Sequence, residues 1–459
     1  MQIIPTISRA PFLAIALFYQ IIIAFKSAYL QNPVFFHKIR LLMKVAFIAT
    51  RISGLDGVSL EIDNWGKVFS RMGHKTLFVA GQLDREGVLL PELHFQNPEV
   101  AKLYRWIVES KRSFEKVEVK VFEMAGRIEG LLRRSLGNGV LPDLLVVSNV
   151  FSLPMHFPFA VGLARFIEEY KIPTIARHHD FWWERERFLN SKCFNFFKRW
   201  FPPDLPYVKH VTINSIAQRE LFERTGIKSE LVWDSFDFSS DIKLDKYASH
   251  FRDDFGINPG DIVFLQATRI VPRKRLEIAI ELVRRLNNPR IVLVFAGHSG
   301  DEGYLYLKKV KQLAYKAPIR CKFIGRFVNS RRRVVDLKTN NHSKRRRVYT
   351  LWDCYLNSDF VVYPTEKEGF GNQFVESVFF KKPLILTPYP VYKKDIKPLG
   401  FKAIEIDDKL KADSVKKVED LLNNKYEVER IVSENFKLGK KYLSYDWVES
   451  KIRKILKDI

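Results

Sequence analysis

The stretch KVAFIATRISGLDGVSLEIDNWGKVFSRMGHKTLFVAG, residues 44–81, decides the class of fold. It begins with a short apolar run that is typical of a buried strand, and it ends with a second such run at residues 76–81. Between the two runs, apolar residues recur at helical spacing from Val58 to Met72, and Gly73 ends that helix. A strand, a helix and a second strand in succession predict a βαβ unit, and therefore a parallel sheet.

The same alternation continues through the chain, with one interruption. Residues 238–258 are polar and charged, as expected of a linker, and the pattern restarts after them. We therefore predict an α/β fold of two doubly wound domains, residues 44–240 and 258–440, and a C-terminal helix at 441–459. Two such domains in series predict a cleft between them, with ligands outside the carboxyl ends of the strands. Further strands are predicted at residues 143–150, 174–180, 208–215, 230–237, 261–269, 290–297, 320–326, 359–364 and 382–387.

Charge and cysteine content narrow the function classes. The chain has 76 lysine and arginine residues against 52 acidic residues, which gives a formal net charge of +24. Such a charge attracts anions such as nucleotides, phosphorylated substrates or acidic lipids, although a basic surface kept for solubility would explain it equally well. Cys193, Cys321 and Cys354 lie far apart without a CxxC pair, which argues against a disulfide framework or a cysteine-rich zinc site. A cytoplasmic location therefore fits best.

Residues 1–42 precede the first predicted strand. They contain an apolar run at residues 11–25 that is shorter than the roughly 20 residues that a spanning helix needs. No clear small-residue cleavage site follows this run. We expect residues 1–42 to be a loose leader or an over-long gene prediction, because Met43 opens a sequence that is typical of a protein start. A membrane anchor or an interfacial helix is the alternative.

Two segments that follow predicted strands have features of phosphate sites. In RISGLDG, residues 51–57, glycines allow the backbone to approach an anion at a helix start, but the GxGxxG dinucleotide pattern is missing. In RIVPRKR, residues 269–275, Arg269 and Lys274 lie at the mouth of a helix, where two cations suit a diphosphate. A plain tight turn and a solvated basic loop are the respective alternatives.

A third segment is HHD, residues 178–180. A cluster of this composition can bind a metal, but adjacent residues in a strand point to opposite faces. One of the two histidines would then face the cleft while the other packs into the protein. The sequence places no third ligand beside them, so we predict no metal site here.

The fourth segment is TEKEGFGNQFVESVFFKKPLIL, residues 365–386, which follows a predicted strand. Glu368 would lie in a glycine-rich turn, and Glu376 would lie a little over two helical turns further along. Carboxylates accept hydrogen bonds from hydroxyl groups, so this pair could hold the two ends of a nucleotide sugar. Arg269 and Lys274 would balance the charge of its diphosphate.

The residues EGFGNQFVE, 368–376, together with the basic pair Arg269 and Lys274, resemble the motifs of the retaining GT-B glycosyltransferases of family GT4. The resemblance covers most of residues 44–459 and is strongest from 261 to 387. It implies two Rossmann-like domains that face a central cleft. It also implies transfer of a hexose from a nucleotide sugar of the GDP-mannose or UDP-glucose type, with retention of anomeric configuration. Protein cations replace a bound metal in this family, so no cofactor is expected.

The resemblance also implies roles for single residues. Glu376 would bond to the donor ribose and Glu368 to the hexose hydroxyls, while Arg269 and Lys274 would stabilise the leaving diphosphate. His179 would lie near the transferred sugar. The catalytic residues would be His179, Glu368, Arg269 and Lys274. The donor site would comprise Gly57, Arg269, Lys274, Gly325, Arg326, Glu368, Gly369, Phe370, Gly371, Asn372 and Glu376.

A finer resemblance concerns the acceptor. GLDGVSLE (54–61), RHHDFWWERERF (177–188) and YPVYKKDIKPLGF (389–401) are similar to a GT4 subgroup that makes a compatible solute from GDP-mannose. This implies a small polar acceptor with a carboxylate, which Arg177, Arg185 and Lys393 would meet. The full predicted acceptor set is Arg177, His178, Asp180, Arg185 and Lys393. Packing at a domain interface is the alternative explanation of these segments.

Two departures from the family pattern matter. Asp234 and Ser235 stand where an Asn-Gly turn is usual, and a basic insertion occupies residues 329–349. We expect the insertion to be a mobile, solvated loop. An anionic acceptor or a membrane surface is its alternative partner, but a nucleic acid is not expected, because no stacking aromatics lie among the charges.

Two other functions compete with this interpretation. The first is a membrane-surface glycosyltransferase that builds a glycolipid or a polysaccharide. The second, of another class, is a nucleotide- or polyanion-binding protein without catalysis. The intact set of Arg269, Lys274, Glu368 and Glu376 argues against the second.

Overall fold

The computed structural model describes residues 42–54, 56–109, 115–137, 141–191, 193–299, 303–339 and 342–459. The leader predicted at residues 1–42 lies almost wholly outside the described residues. From Lys44 to Ile459 the chain forms a single structural unit built around two parallel sheets. The prediction of two consecutive α/β sheets is therefore confirmed. The boundaries predicted for the domains stay predictions.

Seven parallel strands form the N-terminal sheet, in the order β3-β2-β1-β4-β5-β6-β7. Its central strands are almost entirely apolar, because helices cover both faces of a parallel sheet and bury nearly every side chain. Its elements are β1 (Lys44–Ala49), α1 (Gly57–Arg71), β2 (Lys75–Ala80), β3 (Val88–Leu89), α2 (Pro98–Tyr104), α3 (Glu115–Gly137), β4 (Leu144–Ser148), α4 (Phe157–Tyr170), β5 (Thr174–His178), α5 (Glu186–Leu189), α6 (Phe194–Trp200), β6 (Val208–Thr212), α7 (Ser215–Thr225) and β7 (Ser229–Leu231).

Six parallel strands form the C-terminal sheet, in the order β10-β9-β8-β13-β14-β15. The elements from the linker onward are α8 (Lys246–Ser249), α9 (Phe251–Asp254), β8 (Ile262–Gln266), α10 (Leu276–Leu286), β9 (Ile291–Phe295), α11 (Leu305–Lys316), β10 (Arg320–Phe323), β11 (Arg333–Thr339), β12 (His342–Val348), α12 (Leu351–Leu356), β13 (Phe360–Tyr363), α13 (Asn372–Phe379), β14 (Leu384–Leu386), β15 (Ile404–Glu405), α14 (Ala412–Leu422), α15 (Lys425–Tyr442) and α16 (Tyr445–Ile455).

The basic insertion forms paired strands, so the prediction of an irregular loop is wrong. β11 and β12 pair in antiparallel register from Arg333 opposite Val348 to Thr339 opposite His342. Arg347 forms an ion pair with Asp254 at 3.1 Å, which ties the base of the hairpin to the linker. Backbone pairing and this ion pair stabilise the hairpin, whereas the sequence pattern shows only that its residues are charged.

The last helix returns to the N-terminal half of the molecule. The Tyr445 hydroxyl donates a hydrogen bond to Oδ1 of Asn64 on α1 at 2.8 Å, and Arg71 of α1 forms an ion pair with Asp446. The C-terminal helix therefore packs against the N-terminal half of the fold. None of the helices in the described part of the chain is both long and apolar enough to span a membrane.

Candidate active site

A cavity of about 600 Å³ lies where the carboxyl ends of the two sheets face each other. One wall follows β1, β4, β5 and β6, and the other follows β8, β9 and β13, as the rule for doubly wound sheets predicts. The structure brings most of the predicted site residues to this cavity. Its lining includes Gly57, His179, Asp180, Arg269, Lys274, Glu368, Gly369, Phe370, Gly371, Asn372 and Glu376.

The turn before α13 requires glycine at its last position. Gly371 has a φ of +122°, which side chains rarely adopt. A Cβ atom there would also lie 2.7 Å from the hydroxyl of Tyr389 and 3.0 Å from that of Tyr363. Phe370, just before it, is buried. The turn therefore has a fixed backbone path that brings Glu368 to the cavity.

Glu368 is held as an anion by three neighbours. It forms an ion pair with Lys274, a second ion pair with Arg273 at 3.1 Å, and a hydrogen bond from the hydroxyl of Thr365 at 2.6 Å. Burial alone would raise the pKa of Glu368, but the charges of Lys274 and Arg273 outweigh it and bring the pKa to about 2. The carboxylate is therefore ionised at neutral pH and can accept hydrogen bonds.

Lys274 lies in the short turn between β8 and α10 and is 5% exposed. Burial lowers the pKa of Lys274 to about 8, against the opposing effect of the Glu368 carboxylate. Arg273 lines the cavity beside it, although no role was predicted for it from the sequence. The signal was present, because Arg273 belongs to the same basic run as Arg269 and Lys274.

Glu376 lies on α13, the helix that follows the turn of Glu368, and is 6% exposed. The hydroxyl of Tyr355 donates a hydrogen bond to its Oε2 at 2.8 Å. Burial raises the pKa of Glu376 to about 7, and the nearby Glu61 adds to this effect. The two glutamates of the motif thus sit in opposite electrostatic surroundings.

His179 presents a neutral imidazole to the cavity. Its backbone N–H donates to Oδ1 of Asn149 at 2.7 Å, and Asn149 itself takes a left-handed conformation with φ of +59°. Burial holds the pKa of His179 well below its usual value, and the charge of Arg177 adds to this. Its Nε2 nitrogen is a buried polar atom without a hydrogen-bond partner among the described residues.

Arg177 and His178 do not reach the cavity, which corrects their predicted acceptor role. Arg177 is 1% exposed and pairs with Glu61 and Asp234, each at 3.0 Å. The ring of His178 lies 2.9 Å from Nδ1 of the buried His210. Arg177 and His178 are adjacent in β5, so their side chains point to opposite faces of the sheet, and both are buried there.

Other predicted residues are absent from the cavity lining in the described part of the chain. Arg185 forms an ion pair at 3.1 Å with Asp180, which does line it. The guanidinium of Arg326 lies over the ring of Phe327 at 4.6 Å. Gly325 and Lys393 are likewise absent from the described lining. Gly297, His298 and Val328 line the cavity instead.

Two polar contacts hold the turn of Glu368 against the N-terminal half, and a third joins the two halves at Asp395. Asn214 Nδ2 donates to the carbonyl oxygen of Gly369 at 2.7 Å, and Lys367 pairs with Glu184 at 3.0 Å. The backbone N–H of Ser215 donates to Oδ2 of Asp395 at 2.7 Å. The two walls of the cavity are therefore joined beside the motif.

The described residues contain no cluster of three or more histidine, cysteine, aspartate or glutamate side chains with the geometry of a metal site. The HHD segment illustrates the reason. Its two histidines lie on opposite sides of the strand end, one against His210 and the other at the cavity.

Comparisons with known proteins agree with this geometry. Residues 249–342 and 337–438 match the family described as Glycosyl transferases group 1. The chain is 34% identical over 442 residues to a mannosylglucosylglycerate synthase of Thermotoga maritima, which covers 89% of this chain and 98% of the relative. It is 29% identical over 404 residues to a protein of the same name from Petrotoga mobilis. That alignment covers 80% of this chain and 87% of the relative. The fold resembles that of Anabaena HepE in complex with UDP and glucose, with a TM-score of 0.59, 14% identity, and 91% and 100% of the two chains covered.

Proposed function

The chain is a glycosyltransferase of the glycosyl transferases group 1 family with the GT-B fold; from this premise we propose that it uses a nucleotide sugar, and we propose its substrates and stereochemistry. We propose that it transfers a mannosyl group from GDP-mannose to a small acceptor with a carboxylate, with retention of anomeric configuration. The names of the two relatives support glucosylglycerate as the acceptor. The observation that carries the proposal is the ionised Glu368 beside Lys274 and Arg273 at the cavity.

The basic run after β8 supplies the positive charge for the donor diphosphate. Arg269, Arg273 and Lys274 all line the cavity. Negative charge grows on the leaving diphosphate as the bond between the sugar and the phosphate oxygen breaks, and preorganised cations stabilise that charge. Since three protein cations meet the diphosphate, we propose that the reaction needs no bound metal. Undiminished turnover in EDTA would support this, and a metal requirement would contradict it.

Glu368 would accept hydrogen bonds from hydroxyl groups of the transferred sugar. A carboxyl group with a pKa of about 2 is a weak base at neutral pH, so it suits hydrogen bonding better than proton abstraction. We propose that an oxygen of the leaving diphosphate takes the proton of the acceptor hydroxyl on the same face of the sugar. His179, which lines the cavity, would bond to the same sugar, while Glu376 would meet the donor ribose.

The experiment that tests this function is acceptor-dependent release of nucleoside diphosphate by the purified full chain. GDP-mannose, UDP-glucose and ADP-glucose are each supplied with and without glucosylglycerate. We expect release of GDP from GDP-mannose only when the acceptor is present. Glu368→Gln should lower this rate by about 100-fold or more, as the loss of a transition-state contact does. Glu366→Gln, in the same loop but exposed, serves as the matched control.

We also propose a cytoplasmic location. Cys193 and Cys354 are buried free thiols and Cys321 is a partly buried one, which suits a reducing compartment. Peripheral contact with a membrane is the alternative that would fit a lipid acceptor. Flotation of the full chain with anionic lipid vesicles separates the two, since the proposed enzyme stays in the aqueous fraction and a membrane-surface enzyme floats.

A further inference from the structure

The cations of the cavity are divided unequally between its walls. Four arginine and lysine residues occur among its described lining residues. Arg269, Arg273 and Lys274 belong to the run after β8, on the wall that carries the two motif glutamates. Arg51 belongs to the opposite wall, where it follows the end of β1. A donor diphosphate held by the first three would lie on one wall, and Arg51 faces the cavity from the other.

The position of Arg51 is fixed by its neighbours. Its Nη2 lies 3.5 Å from Oδ2 of Asp56, and its guanidinium lies 5.7 Å from the centre of the Phe95 ring. Asp56 caps α1, because its carboxylate accepts from the backbone N–H of Ser59 at 3.2 Å and from the Ser59 hydroxyl at 2.7 Å. The Asp56 carboxylate is therefore shared between the N-terminus of the helix and the guanidinium of Arg51. The Arg51 side chain remains 26% exposed, toward a cavity that it lines.

Neither of the two histidines on this wall competes for an anion, since burial keeps the pKa of His179 well below its usual value and His156 is committed to the fold. His156 lines the cavity, but its Nε2 bonds to the carbonyl oxygen of Glu92 at 2.9 Å, and its Nδ1 accepts from the backbone N–H of Phe159 at 3.1 Å. Both ring nitrogens are thus committed to the fold, and burial lowers the pKa of His156 to about 4. The imidazole is neutral at physiological pH.

The three cationic residues that were predicted to bind the acceptor carboxylate do not line the cavity. Arg177 is buried between two carboxylates, and neither Arg185 nor Lys393 belongs to the described lining of the cavity. We propose that Arg51 binds the carboxylate of the acceptor and so selects anionic over neutral acceptors. This inference rests on the proposed function. A guanidinium suits the task because its planar donors match the two oxygens of a carboxylate.

The test compares two acceptors that differ at one group, glucosylglycerate with its carboxylate and glucosylglycerol with a neutral hydroxymethyl group in its place, with GDP-mannose as donor. Arg51→Gln should lower kcat/KM for glucosylglycerate by roughly 10- to 100-fold, the usual effect of losing a hydrogen bond to a charged group. The same variant should leave kcat/KM for glucosylglycerol and the KM for GDP-mannose within about 2-fold of the wild type, inside the usual scatter of such measurements. Arg51→Lys should restore part of the loss.

The matched control is Arg134→Gln, an exposed arginine of α3. Thermal melting of both variants shows whether the fold is kept. An equal loss with the two acceptors would overturn the inference, because it would give Arg51 a structural role. Unchanged selectivity in Arg51→Gln would overturn it as well.

A binding measurement keeps the inference separate from the proposed transfer. Titration calorimetry of glucosylglycerate into wild type and Arg51→Gln, without donor, reads the carboxylate contact alone. Weaker binding by the variant supports Arg51 even if no sugar is transferred. Equal affinities overturn Arg51 even if the transfer reaction proceeds as proposed.

Discussion

The side chain of Asn214 donates a hydrogen bond of 2.7 Å from Nδ2 to the carbonyl oxygen of Gly369. The same side chain caps α7, since its Oδ1 accepts from the backbone N–H of Ala217 at 2.7 Å. One residue therefore fixes the start of a helix in the N-terminal half and the turn of Glu368 in the C-terminal half. The position of the motif turn depends on both walls of the cavity.

Asn214→Asp separates the two tasks of this residue. Aspartate keeps the helix cap but turns an oxygen atom toward the carbonyl oxygen of Gly369. We expect kcat/KM for the donor to fall by about 10-fold, because one cross-cleft hydrogen bond becomes a repulsion. Steady-state kinetics measure the effect. Asn424→Asp is the matched control, since Asn424 caps α15 in the same way; an equal loss in both variants would contradict the role of the Gly369 contact.

Gly371→Ala tests the shape of the motif turn. A methyl group there meets the Tyr389 hydroxyl at 2.7 Å, in addition to the cost of a φ of +122°. We expect a loss of unfolding free energy of about 2 kcal/mol or more, together with loss of donor binding. Chemical denaturation and nucleotide titration measure the two effects. Gly73→Ala is the control for the backbone term, because Gly73 has a φ of +91° and a methyl group there would meet none of the described atoms within 4 Å; it should lose stability but keep donor binding.

Lys274 should set the alkaline limit of donor use. Its pKa of about 8 in the free protein means that it loses its positive charge as the pH rises above this value. Since kcat/KM reports the free enzyme, kcat/KM for the donor should fall above about pH 8. Lys274→Arg should remove this alkaline decline, because a guanidinium stays charged. If the alkaline decline of kcat/KM persists unchanged in Lys274→Arg, a group other than Lys274 causes it.

Glu376 should make the free protein less stable at neutral pH than at acid pH. Burial raises the pKa of Glu376 from an ordinary value of 4.5 to about 7. Between these values the folded protein binds more protons than the unfolded chain, so stability falls as the pH rises through this window. Glu376→Gln should therefore equal wild type near pH 4.5 and exceed it above pH 7, by at most about 3 kcal/mol.

Urea denaturation of both proteins across this pH range measures the difference. Glu61 and Asp234, whose pKa values burial also raises, are present in both proteins, so their effects largely cancel. A difference in stability that does not change between pH 4.5 and 7 would show that Glu376 does not titrate in this window.

The sequence predicted the two sheets because buried parallel strands are nearly continuous apolar runs, such as β4 and β9. It also predicted the cavity residues at strand ends, since that position follows from the fold class. It could not predict the surroundings of Arg177. Its two carboxylate partners lie 116 and 57 residues away along the chain, and no local pattern reveals such a pairing.

Arg51 and the basic hairpin escape prediction for different reasons. Arg51 belongs to a segment in which the glycines are the most prominent feature. The role of the Arg51 charge becomes evident only when the structure shows which cations line the opposite wall. The hairpin at β11 and β12 has a charge-rich sequence that is typical of a solvated loop. Its contacts with Asp254 of the linker come from tertiary structure, which outweighs local propensity here.

The measurement that tests the central claim most directly is the anomeric configuration of the product. The full chain is incubated with GDP-mannose and glucosylglycerate, and the one-bond carbon–proton coupling of the new mannosyl linkage is read by NMR. We predict an α-mannoside, formed in step with GDP release and lost in Glu368→Gln. A β-mannoside would contradict retention, and the absence of any mannosylated product would contradict the proposed reaction itself.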